Sequence, residues 1–167
     1  NDSLRDFFIP NDGGFNVLKR AISSSEGPTF VDDSSDLINA ANNDGGGSQA
    51  AVMADLNGDS YLDIFVANGH DGNILYLNRR PQDNSFENVI SQTGLAVSAG
   101  NCSGAVAFDV DQDTDADLLL LYRNAASKLY INQGPNGNGI PQFALAGGVL
   151  NHATDSNPVG VEVGDLD

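Results

Sequence analysis

Cysteine is nearly absent from this sequence. Cys102 is the one thiol among 167 residues, so no disulfide can close within the chain and no disulfide framework organises it. Its surroundings, Cys102-Ser103-Gly104-Ala105, are small and hold no base to activate a thiolate, which marks a buried structural thiol. Bases are scarce too: 7 Lys and Arg stand against 23 acids, for a formal charge of −16. Phosphate backbones and anionic lipid both need a basic face, so nucleic acid and anionic membrane surfaces are excluded as partners. The sequence holds no run of about 18 apolar residues to insert in a membrane. The opening residues, Asn1-Asp2-Ser3-Leu4-Arg5, lack the pattern of a signal peptide. Glutamate is almost missing: the acid is 20 Asp against 3 Glu. A merely solvated acidic surface would use both. Asp is short and turn-forming, so the bias puts the charge in loops, and in loops suited to a cation.

What is present is a repeat. Apolar residues make up 40% of the chain, enough for a packed core. The stretch Ala51-Val52-Met53-Ala54-Asp55-Leu56-Asn57-Gly58-Asp59-Ser60-Tyr61-Leu62-Asp63 returns as Ala105-Val106-Ala107-Phe108-Asp109-Val110-Asp111-Gln112-Asp113-Thr114-Asp115-Ala116-Asp117, 54 positions on. At the same offset Leu75-Tyr76-Leu77-Asn78 returns as Leu129-Tyr130-Ile131-Asn132, and Phe86 finds its counterpart in Phe143. An earlier copy matches through Asp2, Asp6, Asn11, Asn16, Val17 and Leu18, with Phe30 for Phe86. A later one begins at Gly160, where Asp165 and Asp167 stand for Asp109 and Asp111. The chain thus starts inside one Asp loop and stops inside another, and is expected to be a piece of a longer protein. The expected units are a partial repeat over 1–47, full repeats over 48–101 and 102–157, and the start of another over 158–167.

Each unit reads as four short strands. The first precedes the Asp loop (48–54, 103–108, 159–164) and is rich in Ala, Gly and Val. The second is a continuous apolar run, Phe7-Phe8-Ile9, Ile64-Phe65-Val66-Ala67 or Leu118-Leu119-Leu120-Leu121-Tyr122, which predicts burial on both faces. The third is Val17-Leu18, Ile74 to Leu77, or Lys128 to Ile131. The fourth lies around Phe30-Val31, Phe86 to Ile90, and Phe143 to Leu145. Four strands in about 55 residues, unable to bury both faces alone, is the economy of a β-propeller blade. The expected class is therefore all-β: antiparallel blades belonging to a larger propeller. A β-solenoid usually has shorter coils, and a β-sandwich leaves the long period unexplained.

The Asp loop carries the chemistry. Side-chain oxygens stand at positions 1, 3, 5 and 9: Asp55, Asn57, Asp59 and Asp63, then Asp109, Asp111, Asp113 and Asp117. Position 7, Tyr61 or Asp115, offers its backbone carbonyl. Calcium takes about six to eight oxygens at roughly 2.3–2.6 Å, while magnesium holds to a stricter octahedron and zinc prefers His and Cys, which both loops lack. Carboxylates crowded so closely repel one another or take up protons unless a cation joins them. Two complete calcium sites are expected. An EF-hand is excluded, because position 12 is Val66 or Leu120 where that loop needs Glu, and strands flank the loop.

Val52 to Asn68, with Asn73-Ile74-Leu75-Tyr76-Leu77-Asn78 and Phe86, resembles an FG-GAP/VCBS repeat, the unit of the integrin α-subunit propeller and of many bacterial secreted proteins. The resemblance implies a propeller, often seven-bladed, with calcium between a blade's first two strands, held by Asp55, Asn57, Asp59, Tyr61 and Asp63, and by Asp109, Asp111, Asp113, Asp115 and Asp117. It implies an extracellular or cell-surface, adhesion-type module without catalytic residues, binding a protein or glycan and packing against the rest of its own propeller. A lectin-like propeller and an accessory propeller of a secreted enzyme are the rival readings. Gln112 departs from the pattern where the other loop has Gly58, which predicts strain in the turn.

Other features have plainer explanations. His70 and His152 lie in polar segments without a nucleophile nearby. Arg79-Arg80 reads as a solvated turn, and Tyr76 and Tyr130 recur with the repeat, as packing residues do. Asn1-Asp2-Ser3 and Asn101-Cys102-Ser103 match the short glycosylation pattern. Asp59 and Asp63 resemble a glycosidase pair, but ligand duty already accounts for them.

Overall fold

The apolar runs form strands wherever hydrogen-bonded neighbours exist for them. The computed structural model describes residues 4–37, 47–69, 72–95, 101–147, 158 and 160–164. Among these the chain forms three antiparallel sheets. The first has the order β1 (Phe7–Ile9), β2 (Val17–Ser24), β3 (Gly27–Asp32). The second runs β4 (Ser48–Ala54), β5 (Asp63–Asn68), β6 (Ile74–Asn78), β7 (Phe86–Asn88). The third runs β8 (Cys102–Phe108), β9 (Asp117–Tyr122), β10 (Lys128–Pro135), β11 (Pro141–Leu145). Every connection between neighbours is a hairpin, so each sheet is a simple meander.

Alternation along a strand explains how the sheets stack. Successive side chains point to opposite faces, and both faces of β5 and β6 are apolar. Ile64, Val66, Ile74 and Tyr76 face the first sheet and bury Leu18, Leu37 and Phe86 with them. Phe65, Ala67, Leu75 and Leu77 face the third sheet and pack with Leu118, Leu120, Tyr130 and Phe143. The middle sheet is thus covered on both sides, as the continuous apolar runs predict. Backbone bonds reinforce the second contact. The Phe143 amide donates to the Thr93 carbonyl at 2.7 Å, and a Cβ on Gly94, whose φ is +77°, would meet the Phe143 carbonyl at 2.5 Å. Cys102 is buried there as well, and burial pushes its thiol up to about 11.

Two expectations change in detail. The strand at Phe86 stops at Asn88, because the Asn88 side chain accepts from the Ile90 amide (3.2 Å) and the chain turns into a 3₁₀ turn over Ile90–Gln92. The strand expected over 159–164 is not formed at residues 160–164, which have no ladder partner among the described residues. Most of the glycine-rich segment 42–47 lies outside the described residues. Among them, no helix is long and apolar enough to cross a membrane.

Candidate metal centre

Each Asp loop joins an edge strand of a sheet to its neighbour, β4 to β5 and β8 to β9. The first Asp organises the turn. Asp55 accepts the Gly58 and Asp59 amides on Oδ1 (2.8 and 3.1 Å) and the Ser60 amide on Oδ2 (2.7 Å). Asp109 does the same for Gln112, Asp113 and Thr114 (2.7, 3.2 and 3.0 Å). The fifth position caps the next turn: Asp59 accepts the Tyr61 amide and Asp113 the Asp115 amide, both at 2.9 Å. The ninth position is fully buried and locks the loop to the sheet. Asp63 accepts the Leu56 amide (3.0 Å) and the Asn78 amide (2.8 Å), while Asp117 accepts those of Val110 and Asn132, both at 2.8 Å. Asp6 accepts the Ala21 amide at 2.9 Å, the same bond at the same spacing in the first sheet.

The two complete loops share their backbone as well as their bonds. Gly58 and Ser60 lie at φ 74° and 70°, Gln112 and Thr114 at 64° and 81°. Left-handed backbone suits glycine and costs other residues about 1–2 kcal/mol. Nothing would touch a Cβ at Gly58, so the cost at that position is conformational and not steric. Gln112→Gly is accordingly expected to stabilise the protein by roughly 0.5–1 kcal/mol, after the extra unfolded-state entropy of glycine is subtracted. Gly58→Gln should destabilise by a similar amount, and urea unfolding midpoints of both variants check the pair.

In the second loop three carboxylates converge. Asp109, Asp111 and Asp117 each bring one oxygen to within 4.8 Å of the others, the one such acidic group among the described residues. Burial, then Asp113, Asp117 and Asp109, raises the Asp111 carboxyl above its usual range. Asp115 is raised by burial, by Asp113, Asp109 and Asp117, and also by Asp55, so the two loops sense one another. In the first loop burial pushes Asp63 up to about 7 against the Asn78 and Leu56 amides, with Asp59 and Asp55 adding to the rise. Carboxylates crowded at Asp111, in a loop whose backbone Asp109 already fixes, are what a hard oxygen-seeking cation relieves. Asn57 differs from Asp111 in donating its amide to Asp59 Oδ2 and to the Gly139 carbonyl, each at 3.1 Å.

Residues 55–120 match the family model of the FG-GAP-like repeat. That stretch is similar to an FG-GAP-like repeat. It runs from Asp55 through the second sheet to Leu120, spanning both complete loops, and the FG-GAP repeat is a β-propeller unit. No curated protein matches the chain.

Of the expected ligands, the structure brings Asp109, Asp111 and Asp117 together, while Asp63 and Asp117 accept backbone amides from both sides of their loops. One partner was missed. Asn132 is completely buried and donates to the Ala116 carbonyl at 3.1 Å and, across the sheets, to the Leu56 carbonyl at 2.8 Å. It ties one loop to the other, and its recurrence with Asn78 was the available signal. Tyr76 and Tyr130 are buried between sheets, which fits packing. Arg79 pairs with Glu87 at 3.4 Å. Asp2, His70, His152, Asp165, Asp167 and the Asn1 glycosylation pattern lie outside the described residues.

Proposed function

We propose that this chain is a non-catalytic, calcium-stabilised propeller module that works outside the cell by holding a protein or glycan. The observation carrying it is the convergence of Asp109, Asp111 and Asp117 at the tip of a strand-flanked loop whose turn Asp109 itself fixes. Asp113 and the Asp115 carbonyl complete that ligand set. Asp55, Asn57, Asp59, Asp63 and the Tyr61 carbonyl form the second. All donors are oxygens, which suits calcium and not zinc. Calcium at these sites neutralises the carboxylates and holds each loop against its sheet. In this reading the cation serves structure and does no chemistry there. An extracellular setting follows from calcium supply, since extracellular modules work with sites as weak as about 10⁻⁴–10⁻³ M.

Calorimetric titration with calcium tests the reading. Two sites are expected, and the second loop should bind more tightly, having Asp111 where the first has the neutral Asn57. Asp111→Asn should therefore weaken the tighter phase and Asp59→Asn the weaker one, both keeping an acceptor oxygen in place. Heat indistinguishable from dilution at millimolar calcium would refute the proposal.

A further inference from the structure

Asn132 sits between the two complete loops. It is completely buried, and both polar atoms of its side chain are committed. Its Oδ1 accepts the Gly134 amide at 3.1 Å, and its Nδ2 donates to the Ala116 carbonyl at 3.1 Å and the Leu56 carbonyl at 2.8 Å. Ala116 belongs to the second loop and Leu56 to the first. The bonds continue on either side. The Asn132 amide donates to Asp117 Oδ1 at 2.8 Å, and the Leu56 amide donates to Asp63 Oδ2 at 3.0 Å. An unbroken path thus runs from Asp117 through Asn132 and Leu56 to Asp63, joining one expected ligand of each loop. All four residues are buried, so water does not stand in for a broken link, and a lost bond leaves a buried group unpaired.

A second tie runs the same way. Asn57 donates to the Gly139 carbonyl at 3.1 Å, from the first loop to the turn between β10 and β11. That bond sets which way the Asn57 amide is turned and leaves Oδ1 to its own loop, where the Asp59 amide donates to it at 3.3 Å. The corresponding residue of the second sheet has no such reach. Asn78 donates its side-chain amide to the Leu62 carbonyl at 3.1 Å, as Asn132 does to Ala116, and makes no bond to another sheet among the described residues.

We propose, resting on the calcium reading of both loops, that the loops bind their cations with positive cooperativity and that Asn132 is the positioning residue that couples them. Fixing Asp117 fixes Asn132, which holds the Leu56 peptide and through it Asp63. Ordering one loop therefore lowers the entropy cost of ordering the other. Charge acts in the opposite direction, since a cation in one loop weakens the negative field at the other. Salt screens that opposing part, with a Debye length of about 10 Å at 0.1 M, and leaves the buried bonds in place. Cooperativity is thus expected to hold or grow as salt rises.

Calorimetric calcium titration of the whole chain tests this. Asp113→Ala leaves the first loop to bind alone, and Asp59→Ala the second. With positive coupling, the product of the two wild-type association constants exceeds the product of the two single-loop constants, and their ratio is the coupling factor. Asn132→Ala should lower that factor by roughly 3–10-fold, the worth of one net hydrogen bond. Asn78→Ala, which removes a bond within one sheet, should leave it as in wild type. The charge lost with each Asp is the same in all three backgrounds and cancels in the comparison. Should Asn132→Ala fail to fold, hydrogen exchange decides. In Asp59→Ala calcium fills the second loop alone, and it should still slow exchange of the Leu56 amide in the first. A wild-type factor at or below unity, an unchanged factor in Asn132→Ala, or a Leu56 amide indifferent to calcium in Asp59→Ala would each overturn the coupling and leave two calcium sites standing. Wild type that gives no calcium heat would overturn the calcium reading and the coupling with it.

Discussion

Chelating calcium is expected to lower the melting temperature by about 10–20 °C relative to millimolar calcium. A ligand bound only by the folded state adds RT ln(1 + [L]/Kd), about 2.7 kcal/mol per site at a hundredfold excess over Kd. Two sites give roughly 5 kcal/mol, and for a chain of this size each kcal/mol moves the midpoint by about 2–4 °C. The gain should also depend on pH. Without a cation the Asp63 carboxyl, pushed up to about 7, keeps a proton that the unfolded chain has already lost. A raised carboxyl makes the cation-free protein relatively more stable below 7 and less so as pH rises through that value. Calcium needs the ionised form, so its stabilising increment should grow as pH rises from about 5.5 to 8. Superimposable melts in chelator and in calcium at both pH values would remove the metal from the account.

The loops were legible in the sequence because their structure is made locally. Asp55 and Asp109 each bind amides within five residues of themselves, so composition and spacing specify the turn without help from the rest of the fold. The continuous runs at Ile64 to Ala67 and Leu118 to Tyr122 announced two-sided burial for a similar reason. Other features needed partners that no local pattern names. β2 continues from Leu18 to Ser24 and β3 starts at Gly27, although Lys19-Arg20 breaks any apolar alternation. Backbone pairing between β2 and β3, with Arg20 held by Asp33 and Asp36 at 3.0 and 3.2 Å, carries that hairpin beyond its apolar part. The bond from Asn132 to Leu56 spans 76 positions, which spacing within one repeat cannot reveal. Residues 160–164 show the converse: a good strand pattern stays unformed where no ladder receives it.

Phe65→Ala is expected to destabilise the protein by about 3–5 kcal/mol, because it empties a fully buried ring from the contact between the second and third sheets. Its coupling to neighbours should reveal the stack. Ile64 is adjacent in sequence yet packs toward the first sheet, whereas Leu118 lies far along the chain yet shares the cluster of Phe65. If sheets interact only with their immediate neighbours, energies couple across one contact and not through a strand to the other face. Milder changes keep the double variants folded. Phe65→Leu with Leu118→Val should depart from additivity by more than about 0.5 kcal/mol, while Phe65→Leu with Ile64→Val should add within about 0.3–0.5 kcal/mol. Denaturant unfolding in saturating calcium measures both cycles. Equal coupling in the two would mean a single merged core, and the separation of faces that underlies the propeller reading would fail with it.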